Sequence, residues 1–288
     1  MVIQEELFPS KTAEKTIVPP IKIQGIKTKL IPFIKTNIRY NKGIWYEPFM
    51  GSGVVGFNVM PEHAIFGDIN PYIIDFYQKL QKEQITPLIV REFLQTEGEK
   101  LSQTPSDKHS YYYKVRDRFN KYHDPLDFLF LQRSNFNGMI RFSKNGYNVP
   151  FGRKPDRFRP ALITKIVNQV DTVQKRIISH DWSFVCTDWK SLLKEATPKD
   201  YIYLDPPYIG RNTDYFTSWG EQEARELVDY FNYHKELHFA LSMWYENKYR
   251  KNDHLRLWRG EMVTNKHFYF VGGHEKNRNA ITEALILG

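Results

Sequence analysis

The chain has 288 residues, 41 Lys plus Arg against 33 Asp plus Glu, a formal net charge of +8 and one cysteine. One cysteine excludes an internal disulfide framework, and no run of about 18 apolar residues marks a membrane span. The cationic excess suits a polyanion held through its phosphates but equally a mildly basic surface, and the 15% aromatic content suits base stacking or core.

Residues 1–18 lack apolar periodicity and run into Pro19-Pro20, so a loose tail is expected. The opening octet carries acids and no cationic stretch ahead of an apolar run, so no secretory signal is expected. Over 40–80 the pattern reads strand (Ile44-Trp45-Tyr46), glycine turn (Gly51-Ser52-Gly53), helix (54–59), then a strand through Ala64-Ile65-Phe66 to Asp68. That βαβ rhythm predicts a parallel sheet. Residues 81–180 predict helices over 88–100, 111–121 and 124–133, with Pro87, Pro105 and Pro125 at their edges. A hairpin or exposed loops follow over 135–152, rich in Asn, Gly and Phe. A further helix over 162–178 places Ile163, Ile166, Val167, Val170, Val173 and Ile177 on one face. Strands are then predicted at 183–186, 200–204, 238–242, 267–271 and 283–286. The simplest organisation is an α/β catalytic domain, residues 19–80 and 181–288, interrupted by a mainly helical unit over 81–180.

The strongest chemical signal is Tyr201-Ile202-Tyr203-Leu204-Asp205-Pro206-Pro207-Tyr208. An apolar strand ends in an acid, and two prolines fix a stiff turn at its carboxyl end, which is where open α/β sheets bind ligands. Transfer to an exocyclic amine needs this combination. The N6 lone pair of adenine is delocalised into the ring, and two acceptors aimed at its hydrogens free it. The Asp205 carboxylate and the Pro206 carbonyl would supply them from a preorganised turn, while Tyr208 stacks on a base drawn out of its duplex. The same tetrapeptide is also an ordinary turn after a buried strand.

A second motif is Tyr46-Glu47-Pro48-Phe49-Met50-Gly51-Ser52-Gly53, followed by Gly67-Asp68-Ile69-Asn70. Gly51 and Gly53 permit close backbone approach to a ligand, and Asp68 at a second strand end suits a ribose diol. Gly51, Gly53 and Gly56 also fit the dinucleotide fingerprint letter for letter. Against a dehydrogenase stand the lead-in Glu47-Pro48-Phe49 and the Asp-Pro-Pro-Tyr segment, which hydride transfer does not need.

Together, and in this order, the motifs resemble the alpha class of adenine-N6 DNA methyltransferases, the Dam and DpnM group. The 154 positions from Gly51 to Asp205 (205 − 51) resemble that family's target-recognition insertion. Lys22-Ile23-Gln24-Gly25-Ile26-Lys27 resembles its Lys-Trp-x-Gly-Gly-Lys segment, with Ile23 in place of tryptophan and Ile26 in place of glycine. The loss of the tryptophan removes aromatic stacking over the cofactor adenine. The likeness runs from about residue 19 to the C-terminus and is nearest the EcoRV branch, through Pro19–Lys29, Glu47–Val55, Phe136–Phe142, Asn148–Phe151, Asp205–Arg211 and Asp214–Glu221.

The resemblance implies a Rossmann-like methyltransferase fold with a mixed, mostly parallel sheet and S-adenosyl-L-methionine as cofactor. It implies cofactor contacts from Ile23, Gln24, Lys27, Glu47, Phe49, Gly51, Gly53, Asp68, Asp188 and Asp205, with Asp205, Pro206, Pro207 and Tyr208 catalytic. It also implies a helical DNA-binding domain over 81–180 with a hairpin. There Arg133, Asn135, Asn137, Arg141, Asn148, Arg153 and Lys154 are the candidate contacts. Asn reads adenine and Arg reads guanine, lysines more often touch phosphate, and a solvated basic loop is the plain alternative. Arg157, Arg159 and Lys165 continue the cationic run, and Lys276-Asn277-Arg278 is a further phosphate candidate.

Histidine and cysteine spacing suggests no metal site. Expected partners are double-stranded DNA and, functionally, a restriction endonuclease, for a cytoplasmic monomer of bacterial or phage origin that recognises a GATATC-like site. The alternatives are an RNA adenine-N6 methyltransferase, a cytosine-N4 enzyme and a catalytically silent DNA-binding protein.

Overall fold

The computed structural model describes residues 15–23, 25–208, 219–268 and 280–288. Of the sequence-based candidates, Gln24, residues 269–271 of the fourth late strand, 209–218 and 276–278 lie outside the described residues.

Seven strands form one sheet in the order β5-β2-β1-β6-β7-β9-β8. They are β1 Ile44–Glu47, β2 His63–Asp68, β5 Asp181–Cys186, β6 Tyr201–Leu204, β7 His238–Asn247, β8 Glu261–Phe268 and β9 Ala280–Leu287. β5, β2, β1, β6 and β7 run parallel, and β9 is antiparallel to both β7 and β8. The sheet is therefore mixed and mostly parallel, as expected. Because β1, β2, β5 and β6 share a direction, Glu47, Asp68, Asp188 and Asp205 all fall at one edge.

Apolar side chains alternate to both faces, so helices cover both. One face carries α2 Val54–Val59, α3 Pro71–Gln81 and α7 Pro160–Ser179, packed around Phe57, Phe66, Tyr77, Trp182 and Phe184. The other carries α8 Trp189–Leu192 and α9 Glu221–Tyr233, packed around Leu227, Phe231, Phe239 and Leu241. The inserted helices α4 Pro87–Ser102, α5 Tyr111–Tyr122 and α6 Pro125–Ser134 extend the first of these cores without a break, through Val90, Leu94, Phe119 and Phe128. Side-chain caps open the helices where the sequence signals stand: Thr86 accepts from Ile89 N–H and Asp124 from Leu126 N–H, each ahead of a proline. The expected helix over 162–178 lies within α7, which also grips the sheet layer. Gln174 donates to the Leu80 and Ile85 carbonyls, and Arg176 to that of Phe57.

Residues 135–152 form a hairpin of two-residue strands, β3 Phe142–Ser143 and β4 Gly146–Tyr147. β7 continues to Asn247, beyond the predicted 242, and β8 starts at Glu261 rather than 267. Helices α1 Ile31–Asn37, α3 and α9 were not among the predicted elements.

Candidate active site

At the carboxyl edge of β1, β2 and β6 lies a cavity of about 670 Å³. Its lining includes Ile23, Lys27, Glu47, Phe49, Gly51, Asp68, Asp188 and the whole run from Asp205 to Tyr208. Two motifs more than 150 positions apart in sequence thus share one chamber because β1 and β6 are hydrogen-bonded neighbours.

The glycine segment forms one wall. Gly51 (φ +49) and Gly53 (φ +72) take left-handed conformations that other residues adopt at a cost. A Cβ on Gly51 would come to 3.4 Å from Ile23 Cδ1, so Ile23 lies directly over the loop. Gly53 does not line the cavity. It turns the chain into α2, where a Cβ would sit 2.5 Å from the Phe57 ring. The loop is held by Gly51 N–H on Asp68 Oδ2 at 2.9 Å and by Tyr77 Oη on the Ser52 carbonyl at 2.7 Å.

Two acids flank this loop. Glu47 is buried, and its Oε2 accepts from Trp45 Nε1 at 3.0 Å and Gly56 N–H at 2.9 Å. Burial outweighs those bonds and pushes its carboxyl up to about 8. Burial likewise pushes Asp68 up to about 6, against the N–H groups of Asn70 and Gly51. Asp68, expected to meet a ribose diol, therefore also braces the glycine loop. Asp188 caps α8 through Ser191 and stays exposed at the rim.

The floor holds Asp205. Its two oxygens accept from the Lys27 ammonium at 2.7 and 2.8 Å, with Lys27 2% and Asp205 25% exposed. Burial raises the Asp205 carboxyl and Lys27 partly offsets that rise. Burial works against the charged form of Lys27, but Asp205 overrides it and holds the ammonium well above its ordinary value. The Tyr208 ring centroid lies 5.4 Å from Lys27 Nζ, and its hydroxyl donates to buried Glu283 at 3.4 Å. Phe49 and Trp219 meet edge to face, ring centroids 5.3 Å apart, at another wall.

Sequence reasoning groups Lys27 with the cofactor segment, whereas the structure seats it on the Asp205 carboxylate. It also misses Trp219 and Glu283. Glu283 had a signal, a lone acid opening the otherwise apolar predicted strand 283–286.

The geometry is that of a chamber with a glycine-walled half and an acid–diproline–tyrosine half. A family model for D12 class N6 adenine-specific DNA methyltransferases matches residues 24–259. The chain belongs to that family.

Relatives within it include the Type II methyltransferase M.FokI of Planomicrobium okeanokoites, 27% identical over 93% of this chain and 42% of its own length. The modification methylase StsI of Streptococcus sanguinis is 28% identical over 96% and 43%. The DNA adenine methylase of Haemophilus influenzae is 30% identical over 73% of each chain. The chain thus spans about two fifths of the first two relatives.

For a D12 methyltransferase the residues expected on the DNA face divide sharply. Asn137, Arg153 and Lys154 are exposed. Arg141 reaches back to Asn148, its Nε donating to Oδ1 at 2.7 Å and its Nη2 to the carbonyl at 3.0 Å, so both brace the hairpin. Arg133 and Asn135 are not brought to the surface. Asn135 Nδ2 donates to the Met139 carbonyl and to Tyr147 Oη, and Arg133 Nη1 donates to the Pro20 carbonyl. Both stand at the C-terminal end of α6, where the hairpin folds back and covers them.

Proposed function

We propose that the chain is an S-adenosyl-L-methionine-dependent DNA methyltransferase that methylates adenine N6 within a duplex site, as the modification partner of a restriction endonuclease. The carrying observation is the shared cavity, in which the left-handed Gly51 turn under Ile23 faces a carboxylate set on a diproline turn. The family relationship and the relatives named for Type II modification support the same reading.

The chain's groups fit the cofactor chemically. Ile23 and the Gly51 backbone offer a flat slot for its adenine, Asp68 and Asp188 offer acceptors for its ribose hydroxyls and exocyclic amine, and Glu47 offers a buried acid for its ammonium. Once bound, S-adenosyl-L-methionine supplies an electrophilic methyl on a sulfonium sulfur. The protein's part is to prepare the amine. Asp205 and the Pro206 carbonyl each accept one N6 hydrogen, Tyr208 stacks on the ring, and the Asp205 carboxylate holds the proton shed as the N–C bond forms. Lys27 donates to both Asp205 oxygens, and each oxygen keeps a further lone pair with which to accept from the amine.

Exposed Asn137, Arg153 and Lys154 would meet the duplex, with the Arg141–Asn148 pair shaping the hairpin that carries the reading edge. The inserted unit over 81–180 would then serve target recognition. Incubation of the full chain with methyl-labelled cofactor and duplex DNA, or RNA of the same sequence, tests the proposal. Label at adenine N6 of DNA is expected; label elsewhere, or preferentially in RNA, overturns it.

A further inference from the structure

A second cavity, of about 380 Å³, lies beside the first and shares with it only Ile23 and Ile26. Four cations from four separate segments line it. Lys22 comes from the N-terminal stretch, Arg133 from the end of α6, Arg157 from the turn Pro155–Phe158 and Lys165 from α7. No Asp or Glu lines it, and among the described residues none of the four makes an ion pair.

Such convergence is unfavourable in the empty protein. Burial, then repulsion from Arg133, Arg157, Lys165 and Lys154, pushes the Lys22 ammonium down to about 8. Burial and Arg157 push even the Arg133 guanidinium down to about 10. Arg157 Nε is buried without a hydrogen-bond partner. The chamber is held open by Gly138, whose left-handed turn (φ +67) would bring a Cβ to 3.3 Å from Lys22 Cβ. Arg133 gives one N–H to the Pro20 carbonyl, and four cations with no acid among them, around a space large enough for a tetrahedral oxyanion, make a cavity suited to an anion.

We propose that this cavity receives a backbone phosphodiester of the DNA strand and so fixes the duplex against the hairpin. Its lining includes exposed Asn137, and exposed Lys154 lies near enough to repel Lys22, both among the residues proposed to meet the duplex. The apolar pair Ile23 and Ile26 divides it from the cofactor chamber, which disfavours the cofactor's carboxylate as the occupant. The inference rests on the reading that the chain binds DNA.

The test is the salt dependence of duplex binding by the full chain for wild type, Lys22→Gln, Arg157→Gln and Lys165→Gln, each with its melting temperature. Loss of one phosphate contact reduces the slope of log K against log salt by about one, at every DNA sequence tried. That reduction is expected, together with a melting temperature unchanged or raised, because each substitution relieves repulsion. Unaltered slopes in all three variants would overturn the proposal. So would unaltered slopes with changed affinity for inorganic phosphate or for S-adenosyl-L-methionine, which would mark a small-anion site. Failure of methyl transfer with wild-type DNA binding and the slope reductions intact would sink the enzymatic reading alone; absence of wild-type DNA binding sinks both.

Discussion

Lys27 and Asp205 set the behaviour of the site residue by residue. Asp205→Asn keeps an oxygen for Lys27 but removes the charge that polarises the amine. A loss in kcat on the order of 10³-fold is expected, typical of removing one preorganised group, with cofactor affinity retained by calorimetry. Lys27→Met removes the cation that lowers the Asp205 carboxyl, so that carboxyl rises further. The acid limb of the pH–rate profile should therefore move to higher pH; an unmoved limb would show that Asp205 does not act as an ionised acceptor. Glu47 gives a stability test with the opposite sign from an ordinary ion pair. Its folded-state value, about 8, lies above the ordinary 4.5 of a free glutamate, so the folded chain holds the extra proton and loses stability as pH rises between those values. Glu47→Gln can still accept from Trp45 and Gly56 without that loss. Each unit of displacement is worth about 1.4 kcal/mol, so the variant should be more stable than wild type by about 5 kcal/mol at pH 9 and equal to it near pH 4, as read by urea unfolding at each pH. At this scale the residues of the two motifs were legible, because glycine, proline and acid types declare their chemistry. Lys27's true partner was not legible, since it depends on a packing relation across 178 positions.

Among the elements, the inserted helices α4, α5 and α6 are tied by a cluster that no periodicity reveals. Arg118 on α5 donates to Glu97 on α4 at 2.7 Å and to Asp127 on α6 at 2.8 Å, and both acids are buried. Arg118→Met strands the buried Asp127 carboxylate, while Glu97 keeps Lys100 and Tyr111, and should cost about 3 kcal/mol, a melting-temperature drop of roughly 6–12 °C for a chain of this size. Calorimetry showing a drop under 2 °C would mean the cluster contributes little. The long helices were legible because proline and cap residues punctuate them. α9 carries an equally plain stripe, Ala224, Leu227, Val228 and Phe231, but stood outside the elements expected between two strands. α3 starts at Asn70, whose side chain caps Tyr72 N–H. The same asparagine closes the Gly67-Asp68-Ile69-Asn70 motif, so its cap role was hidden behind a functional one. β8 was placed late because its first residues, Glu261 to Lys266, alternate polar and apolar weakly and gain their place only by pairing with β9.

Across the whole molecule, the fold class could be read from the sequence. The inward turn of Arg133 and Asn135 could not, because residue type alone does not say which side of a hairpin a side chain takes. For the duplex face, Arg153→Ala should weaken binding by several-fold without moving sequence preference, as loss of a phosphate-type contact does; a shifted preference would instead make Arg153 a base reader. No helix among the described residues is long and apolar enough to cross a membrane.

The unbroken core joining α4–α6 to the sheet, clamped again by Gln174 and Arg176 on α7, has a consequence for target choice. On the proposed function, the loop that would read bases and the floor that would accept one are joined through one continuous core, so the span between them is a fixed ruler. The methylated base must then fall at a constant offset from the bases read. Shifting that offset by one base pair would demand a rebuilt α6–hairpin junction, whereas changing which bases are read needs only new side chains at its tip.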